Sequence, residues 1–200
     1  MGRKILGIVG SYRKNGTIDS LVSAALSSAQ EHGAETEKIY LIDQHIEFCT
    51  NCRSCTQEAG TDPGACIHHD ALAGILDRYL KSDGVVIGAP VNIFNVNAVT
   101  RRFMERLVCF AYWPWGQPGY KLRMKDRGKK AVLITSSAMP GFMGRFFTGA
   151  MRALKITAQT MGAKPVASLF VGLSAQNKKP TVRDRDLRRA REAGRKLAAG

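Results

Sequence analysis

"GSYRKNGTID", Gly10 to Asp19, is the stretch on which the reading of this chain turns. It follows "KILGIVG", Lys4 to Gly10, a short apolar run rich in branched residues that suits a buried parallel strand. It precedes Ser20 to Glu31, where Leu21, Val22, Ala25, Leu26 and Ala29 recur at helical spacing until Gly33 ends the helix. Ser11, Arg13, Lys14, Asn15, Gly16 and Thr17 therefore sit between a strand and a helix. As an ordinary turn, the stretch needs only Asp19 or Ser20 to start the helix. As a phosphate cradle, it offers unpaired amides at the positive helix end, hydroxyl donors and a charge-assisted contact from Arg13. Two familiar phosphate loops fail on spacing. The dinucleotide fingerprint needs G-x-G-x-x-G, whereas the glycines here are Gly7, Gly10 and Gly16. The nucleotide triphosphate loop needs four residues between its glycines and then Lys-Ser/Thr, whereas five separate Gly10 from Gly16 and Thr17-Ile18 follows.

Outward from this stretch, strand and helix signals alternate. Strands are expected at Glu37–Asp43, Gly84–Ala89, Lys130–Thr135 and Lys164–Leu173. Helices are expected after Asp70 (a cap, with Leu72, Ile75, Leu76, Tyr79 and Leu80 on one face), over Ala98–Tyr112, around Arg145–Met161, and over Thr181–Ala198. Thr181 and Asp184 have capping-box spacing. This alternation predicts one α/β domain over residues 1–200, a doubly wound five-stranded parallel sheet of order 2-1-3-4-5 with helices on both faces. Ligands in such sheets bind beyond the carboxyl ends of the strands where the winding reverses. Three loops should meet there: Gly10–Thr17, Pro90–Asn97 and Ser136–Gly144.

The composition, 44% hydrophobic and 23% charged over 200 residues, is that of an ordinary globular protein with one sizeable core. No apolar run approaches the roughly 18–20 residues of a membrane helix, and the N-terminus lacks a signal peptide's apolar core. A cytoplasmic protein with no membrane contact is expected. The formal charge of +14 raises a nucleic-acid partner, but its distribution argues against one. Residues 178–200 hold nine cations and three acids, and Lys121–Lys130 holds six cations and one acid. Neither run interleaves aromatics with cations, so both read as solvated basic faces that attract anionic ligands.

Four of the five cysteines crowd into "CTNCRSC", Cys49 to Cys55, and Cys66, inside a segment at about 44–69 with no clear period. The C-x2-C-x2-C spacing is typical of iron–sulfur ligation. Zinc would need Cys66, His68 or His69 as a fourth ligand, and free or redox-active thiols are the third reading. About 26 residues without regular structure are uncommon in a compact domain unless functional. Cys109, alone in a helical pattern, reads as a small buried apolar residue. The aromatic stretch Phe110–Tyr120 reads as a pocket wall, a subunit contact or a core edge.

"GSYRKNGT" and "VVIGAPVNIFNVNAVTRRFMERL", Val85 to Leu107, together resemble the two cofactor segments of flavodoxin-like NAD(P)H-dependent FMN reductases. The likeness extends over nearly the whole chain in element order. It implies that Ser11, Arg13, Asn15, Gly16 and Thr17 surround the FMN phosphate. Pro90, Val91, Asn92, Ile93 and Phe94 would border the isoalloxazine, and Ser136 and Ser137 its polar edge. Tyr12 stands where the family has proline, and Ile18 where a further polar partner is usual. Asn92 replaces an aromatic residue, leaving Phe94, Trp113 or Trp115 to stack on the ring. The cysteine segment and "ACIHHDAL", Ala65 to Leu72, resemble the iron–sulfur flavoprotein branch, which implies a 4Fe–4S cluster on Cys49, Cys52, Cys55 and Cys66. The gap before Cys66 is longer than usual there. The implied activity is electron transfer from NAD(P)H through FMN to a small acceptor, or through a cluster to a redox partner. Cluster-free quinone, azo or flavin reduction and a non-catalytic flavin carrier are the alternatives. A homodimer or homotetramer is implied.

Overall fold

The apolar run that opens the chain forms strand β1 (Lys4–Val9) of a computed structural model that describes residues 2–125, 128–175 and 181–199. Four more parallel strands flank it: β2 (Glu35–Tyr40), β3 (Gly84–Asn92), β4 (Lys129–Ser136) and β5 (Ala163–Val171). Their order is β2-β1-β3-β4-β5, the predicted doubly wound topology. Among the described residues six α-helices accompany them: α1 (Thr17–Glu31), α2 (Ala71–Leu80), α3 (Ala98–Arg106), α4 (Gly141–Phe147), α5 (Ala150–Thr160) and, after the last strand, α6 (Asp184–Ala198).

Both sheet faces are apolar because side chains alternate along each strand. Leu6 and Ile8 of β1, Val85 and Ile87 of β3, and Leu133 of β4 enter the core beneath α2, α3 and α5. Ile5, Val9, Val86, Val132 and Ile134 enter the opposite core, closed by α1 and α6. At Gly88 a Cβ would lie 2.6 Å from Val22 and 2.8 Å from Ile18. Its absence lets α1 lie close on β3, which holds the first turn of α1 beside the carboxyl end of β3.

Several boundaries depart from the sequence expectations, each for a local reason. The helix expected over 98–112 stops at Arg106, turns through a 3₁₀ segment (Leu107–Phe110), and pairs Ala111–Tyr112 with Lys121–Leu122. The carbonyls of Cys109 and Phe110 accept from the Gly64 and Arg123 amides at 2.8 Å, so the helical ladder cannot continue through them. The helix expected around 145–161 divides at Thr148 and Gly149, where the Gly149 amide donates to the Phe94 carbonyl at 2.8 Å. The third loop is accordingly shorter than expected, because α4 begins at Gly141. The Thr181–Asp184 capping box does not form: α6 begins at Asp184, with Arg183 at the cap position and no side-chain cap. Asp70 does cap α2, accepting from the Leu72 amide at 3.0 Å. Cys109 is buried, as expected. Among the described residues no helix is long and apolar enough to cross a membrane.

Candidate functional site

The turn from β1 into α1 is built by short-range polar contacts. Asn15 adopts φ +60°, a left-handed conformation that asparagine tolerates better than most residues, and its amide donates to Asp19 Oδ2 at 2.6 Å. The Arg13 amide donates to Ser11 Oγ at 3.1 Å. Asp19 is buried and also receives Lys38 Nζ at 2.9 Å and the Tyr40 hydroxyl at 3.1 Å. Burial raises the Asp19 pKa, but Lys38, the Asn15 amide and Tyr40 outweigh it and hold the carboxyl below its ordinary range. Asp19 is therefore a structural tie for the turn. Gly10 packs so tightly that a Cβ would lie 2.1 Å from Thr100 Oγ1, and this hydroxyl stands 3.0 Å from the Gly10 carbonyl oxygen. Strand β1 is thereby fastened to the start of α3.

Helix α1 starts with Gly16 at its cap position and no side-chain cap. Its first-turn amides thus face outward without a side-chain acceptor, the arrangement that favours an anion. They open into a cleft of about 360 Å³ lined by Ser11, Arg13, Gly16 and Thr17 from the first loop. Pro90, Val91 and Asn92 from the end of β3, and Ser136 and Ser137 from the end of β4, form the rest of the expected lining. The structure thus gathers nine of the twelve residues singled out in the three loops. Among the described residues, Arg13 is the one charged residue on the lining; Lys14 points to Asp43, at 2.7 Å.

Three expected residues lie off the lining. Asn15 is occupied with Asp19. Ile93 and Phe94 form the tip of a hairpin in which Asn92 pairs with Asn95, with φ of 43° and 60° and side chains 91% and 58% exposed. A β-branched residue at positive φ is strained; the hairpin pairing and the Gly149 amide, donating to the Phe94 carbonyl at 2.8 Å, restrain this tip. Tyr12, Ile18, Ala138, Ser174 and Ala175 join the lining without having been expected. Ser174 and Ala175 follow β5, and the Ser174 amide donates to the Ser137 carbonyl at 3.0 Å. The topology rule had pointed only to the strands around the winding reversal.

The cysteine segment lies elsewhere and is held by three arginines. Arg106, only 1% exposed at its side chain, meets Asp70 at 2.5 Å, the Glu47 carbonyl at 2.9 Å and Cys66 Sγ at 3.3 Å. Arg123 donates to the Cys55 and Glu58 carbonyls at 3.1 and 2.7 Å. Arg53 is sandwiched between the Trp113 and Trp115 rings, 3.9 and 4.1 Å from their centroids. The aromatic stretch therefore clamps the cysteine segment, and neither tryptophan lines the cleft. Burial first, then the neighbouring Cys66, Cys49 and Cys52 thiols, push the Cys55 thiol above its ordinary range. Cys49, Cys52 and Cys66 thus act electrostatically on the buried Cys55. Among the described residues, however, no three ligand side chains gather as one metal ion requires. Zinc, bound at about 2.3 Å from each sulfur, needs such a gathering.

Comparison with known proteins agrees with this architecture. The family model of the NADPH-dependent FMN reductases matches residues 3–178. An iron–sulfur flavoprotein of Archaeoglobus fulgidus is 27% identical over 195 residues, covering 98% of this chain and 79% of that protein. Another, from Methanocaldococcus jannaschii, is 34% identical over 132 residues, 64% of this chain and 61% of that protein. Among solved structures, the NAD(P)H:quinone oxidoreductase of Methanothermobacter marburgensis superposes with a TM-score of 0.75 at 17% identity, covering 98% of this chain and all (100%) of that one. This last likeness speaks to the fold alone. With the family model covering most of the chain and the cleft at the expected strand ends, the chain belongs to the NADPH-dependent FMN reductase family and is an NAD(P)H-dependent FMN oxidoreductase on a flavodoxin-like fold.

Proposed function

We propose that the cleft binds FMN with its phosphate in the Gly10–Thr17 turn, and that electrons from NAD(P)H leave through a 4Fe–4S cluster on Cys49, Cys52, Cys55 and Cys66. The observation that carries the flavin placement is the uncapped first turn of α1, which opens into a cleft walled opposite by Pro90–Asn92. Ser11, Thr17, Arg13 and the first-turn amides would donate to the phosphate. The Pro90–Asn92 backbone would run along the ring, with Ser136 and Ser137 at its polar edge. Tyr12 is the aromatic side chain on the lining and takes over the stacking that Asn92 lacks. Bound flavin supplies hydride acceptance and release, so the protein's part is position and electrostatics. No side chain is assigned as an acid or base.

The cluster reading rests on the four-thiol set and on the names of the archaeal relatives. A cluster would send electrons singly to a redox protein. Without it, reduction of a small acceptor such as a quinone or azo compound is the second reading, which the loosely gathered sulfurs favour. The exposed Ile93, Phe94, Phe142 and Phe146 support a homodimer or homotetramer. Five free cysteines suit the reducing cytoplasm. Oxygen-free purification, followed by FMN, iron and sulfide assays and reduction with NADPH or NADH, tests both parts. The expected result is nucleotide-reducible flavin with about four iron atoms per chain. Flavin without iron would leave the small-acceptor reading, and no nucleotide-reducible flavin would overturn both.

A further inference from the structure

The loops that follow β4 and β5 are joined to each other beyond the last strand pairing. The Ser137 amide donates to the Val171 carbonyl at 2.9 Å, and the Leu173 amide to the Met139 carbonyl at 2.9 Å. Ser174 donates twice to the Ser137 carbonyl, from its amide and from its hydroxyl, each at 3.0 Å. The Ser137 hydroxyl donates to the Met139 carbonyl at 3.1 Å. A carbonyl oxygen has two lone pairs, so those of Ser137 and Met139 are both filled. The crossing is close: Leu173 adopts φ +60°, and a Cβ on Gly172 would lie 2.7 Å from the Met139 carbonyl oxygen. Arg183, at the start of α6, fastens the same loop, donating to the Gly172 carbonyl at 3.3 Å and to the buried Asp186 at 2.8 Å. Ser136, Ser137, Ala138 and Ser174 all line the cleft. Among the described residues, the Ala138 amide, between the two filled carbonyls, and the Ser136 hydroxyl have no protein acceptor. A rim with its nearest carbonyls filled and these donors unspent suits the carbonyl side of a flat heterocycle.

We propose that Ser174 is a positioning residue for the flavin ring: by filling the Ser137 carbonyl it sets the Ser136–Ala138 rim so that the Ala138 amide and Ser136 hydroxyl donate to ring carbonyls. The inference rests on the reading of the cleft as the FMN site, and it brings the loop after β5 into that site. Ser174 acts through Ser137, while the phosphate turn of α1 lies across the cleft and is independent of it. Donation to a ring carbonyl strengthens as the ring gains electron density, so this rim also favours the reduced flavin over the oxidised one.

Fluorescence titration of flavin-stripped protein with riboflavin and with FMN separates ring contacts from phosphate contacts. Ser174→Ala should weaken both ligands by the same factor, about threefold to tenfold, the scale of one hydrogen bond. It should also move the midpoint potential of bound FMN to a more negative value, because the displaced rim donates less to the reduced ring. Gly172→Ala, which forces the two loops apart, should act in the same directions and more strongly. Ser174→Thr keeps the hydroxyl and should restore wild-type affinity and potential. Arg13→Ala should weaken FMN and leave riboflavin unchanged. Unchanged riboflavin affinity and FMN potential in Ser174→Ala would overturn the proposal, as would an equal loss in Ser174→Thr. The FMN potential decides alone if riboflavin binds too weakly to titrate. A wild-type protein that binds neither flavin would overturn the flavin reading of the cleft, and the proposal with it.

Discussion

Asp70→Ala removes the carboxylate on which the cysteine segment is anchored. Its side chain is 2% exposed; it caps α2, accepts the Glu47 amide at 2.8 Å and holds Arg106, itself 1% exposed. Alanine would strand a buried guanidinium, a loss of about 3–5 kcal/mol, and remove a cap worth about 1 kcal/mol. The two overlap, so about 4 kcal/mol is expected in total. In a chain of 200 residues this lowers Tm by about 8–16 °C. Urea and thermal unfolding at neutral pH measure it directly. The pH dependence gives a second check. Burial raises the Asp70 pKa, but Arg106 and the Glu47 and Leu72 amides outweigh it, so the folded carboxyl titrates below its unfolded value. Its contribution is therefore complete above the unfolded carboxyl range and fades as pH falls through the folded pKa. The variant should match the wild type most closely in acid. A loss below about 1 kcal/mol at neutral pH would show that Arg106 finds other partners or water, and would refute the anchoring account.

Gly194→Ala gains helix propensity of about 1 kcal/mol, yet the new Cβ would lie 1.9 Å from the Ala25 carbonyl oxygen of α1. The backbone clash should win, and chemical denaturation should show a net loss of about 1–2 kcal/mol; a stabilised variant would contradict the packing. Cys109, its thiol pushed up to about 12 chiefly by burial, should resist alkylation at pH 8 in the native protein and react on unfolding, as mass spectrometry would reveal. Cys52→Ser should lower iron content and leave FMN content unchanged, since the cysteine segment and the cleft share no lining residue. Loss of FMN with the iron would contradict that separation.

Strand order and the convergence of three loops were legible because buried parallel strands write themselves as apolar runs and topology then fixes their ends. The cleft residues Ser11, Arg13, Gly16 and Thr17 were legible for the same reason: a polar turn between strand and helix has few places to point. What was hidden depended on distant partners. Nothing in the local pattern of 98–112 shows that the Gly64 and Arg123 amides would claim the Cys109 and Phe110 carbonyls just beyond α3. The break at Thr148–Gly149 depends likewise on Phe94. The long irregular segment stood out as uncommon unless functional, but nothing showed that Arg53, Arg106 and Arg123 tie it to the rest of the fold. Single cations carry no periodic signal, so nothing in the sequence marked Arg53 or Arg106 as anchors. Asp186 misled in the opposite sense: it reads as a first-turn acid on an exposed helix, yet it is fully buried among arginines.

The most direct measurement is a fluorescence titration of flavin-stripped protein with FMN, in the wild type and in Arg13→Ala. The account predicts saturable quenching at about one FMN per chain, about tenfold weaker in the variant, whose fold should be unaltered because Arg13 is exposed. A wild-type protein that takes up no FMN, or a variant that binds it equally well, would contradict the placement of the phosphate in the Gly10–Thr17 turn.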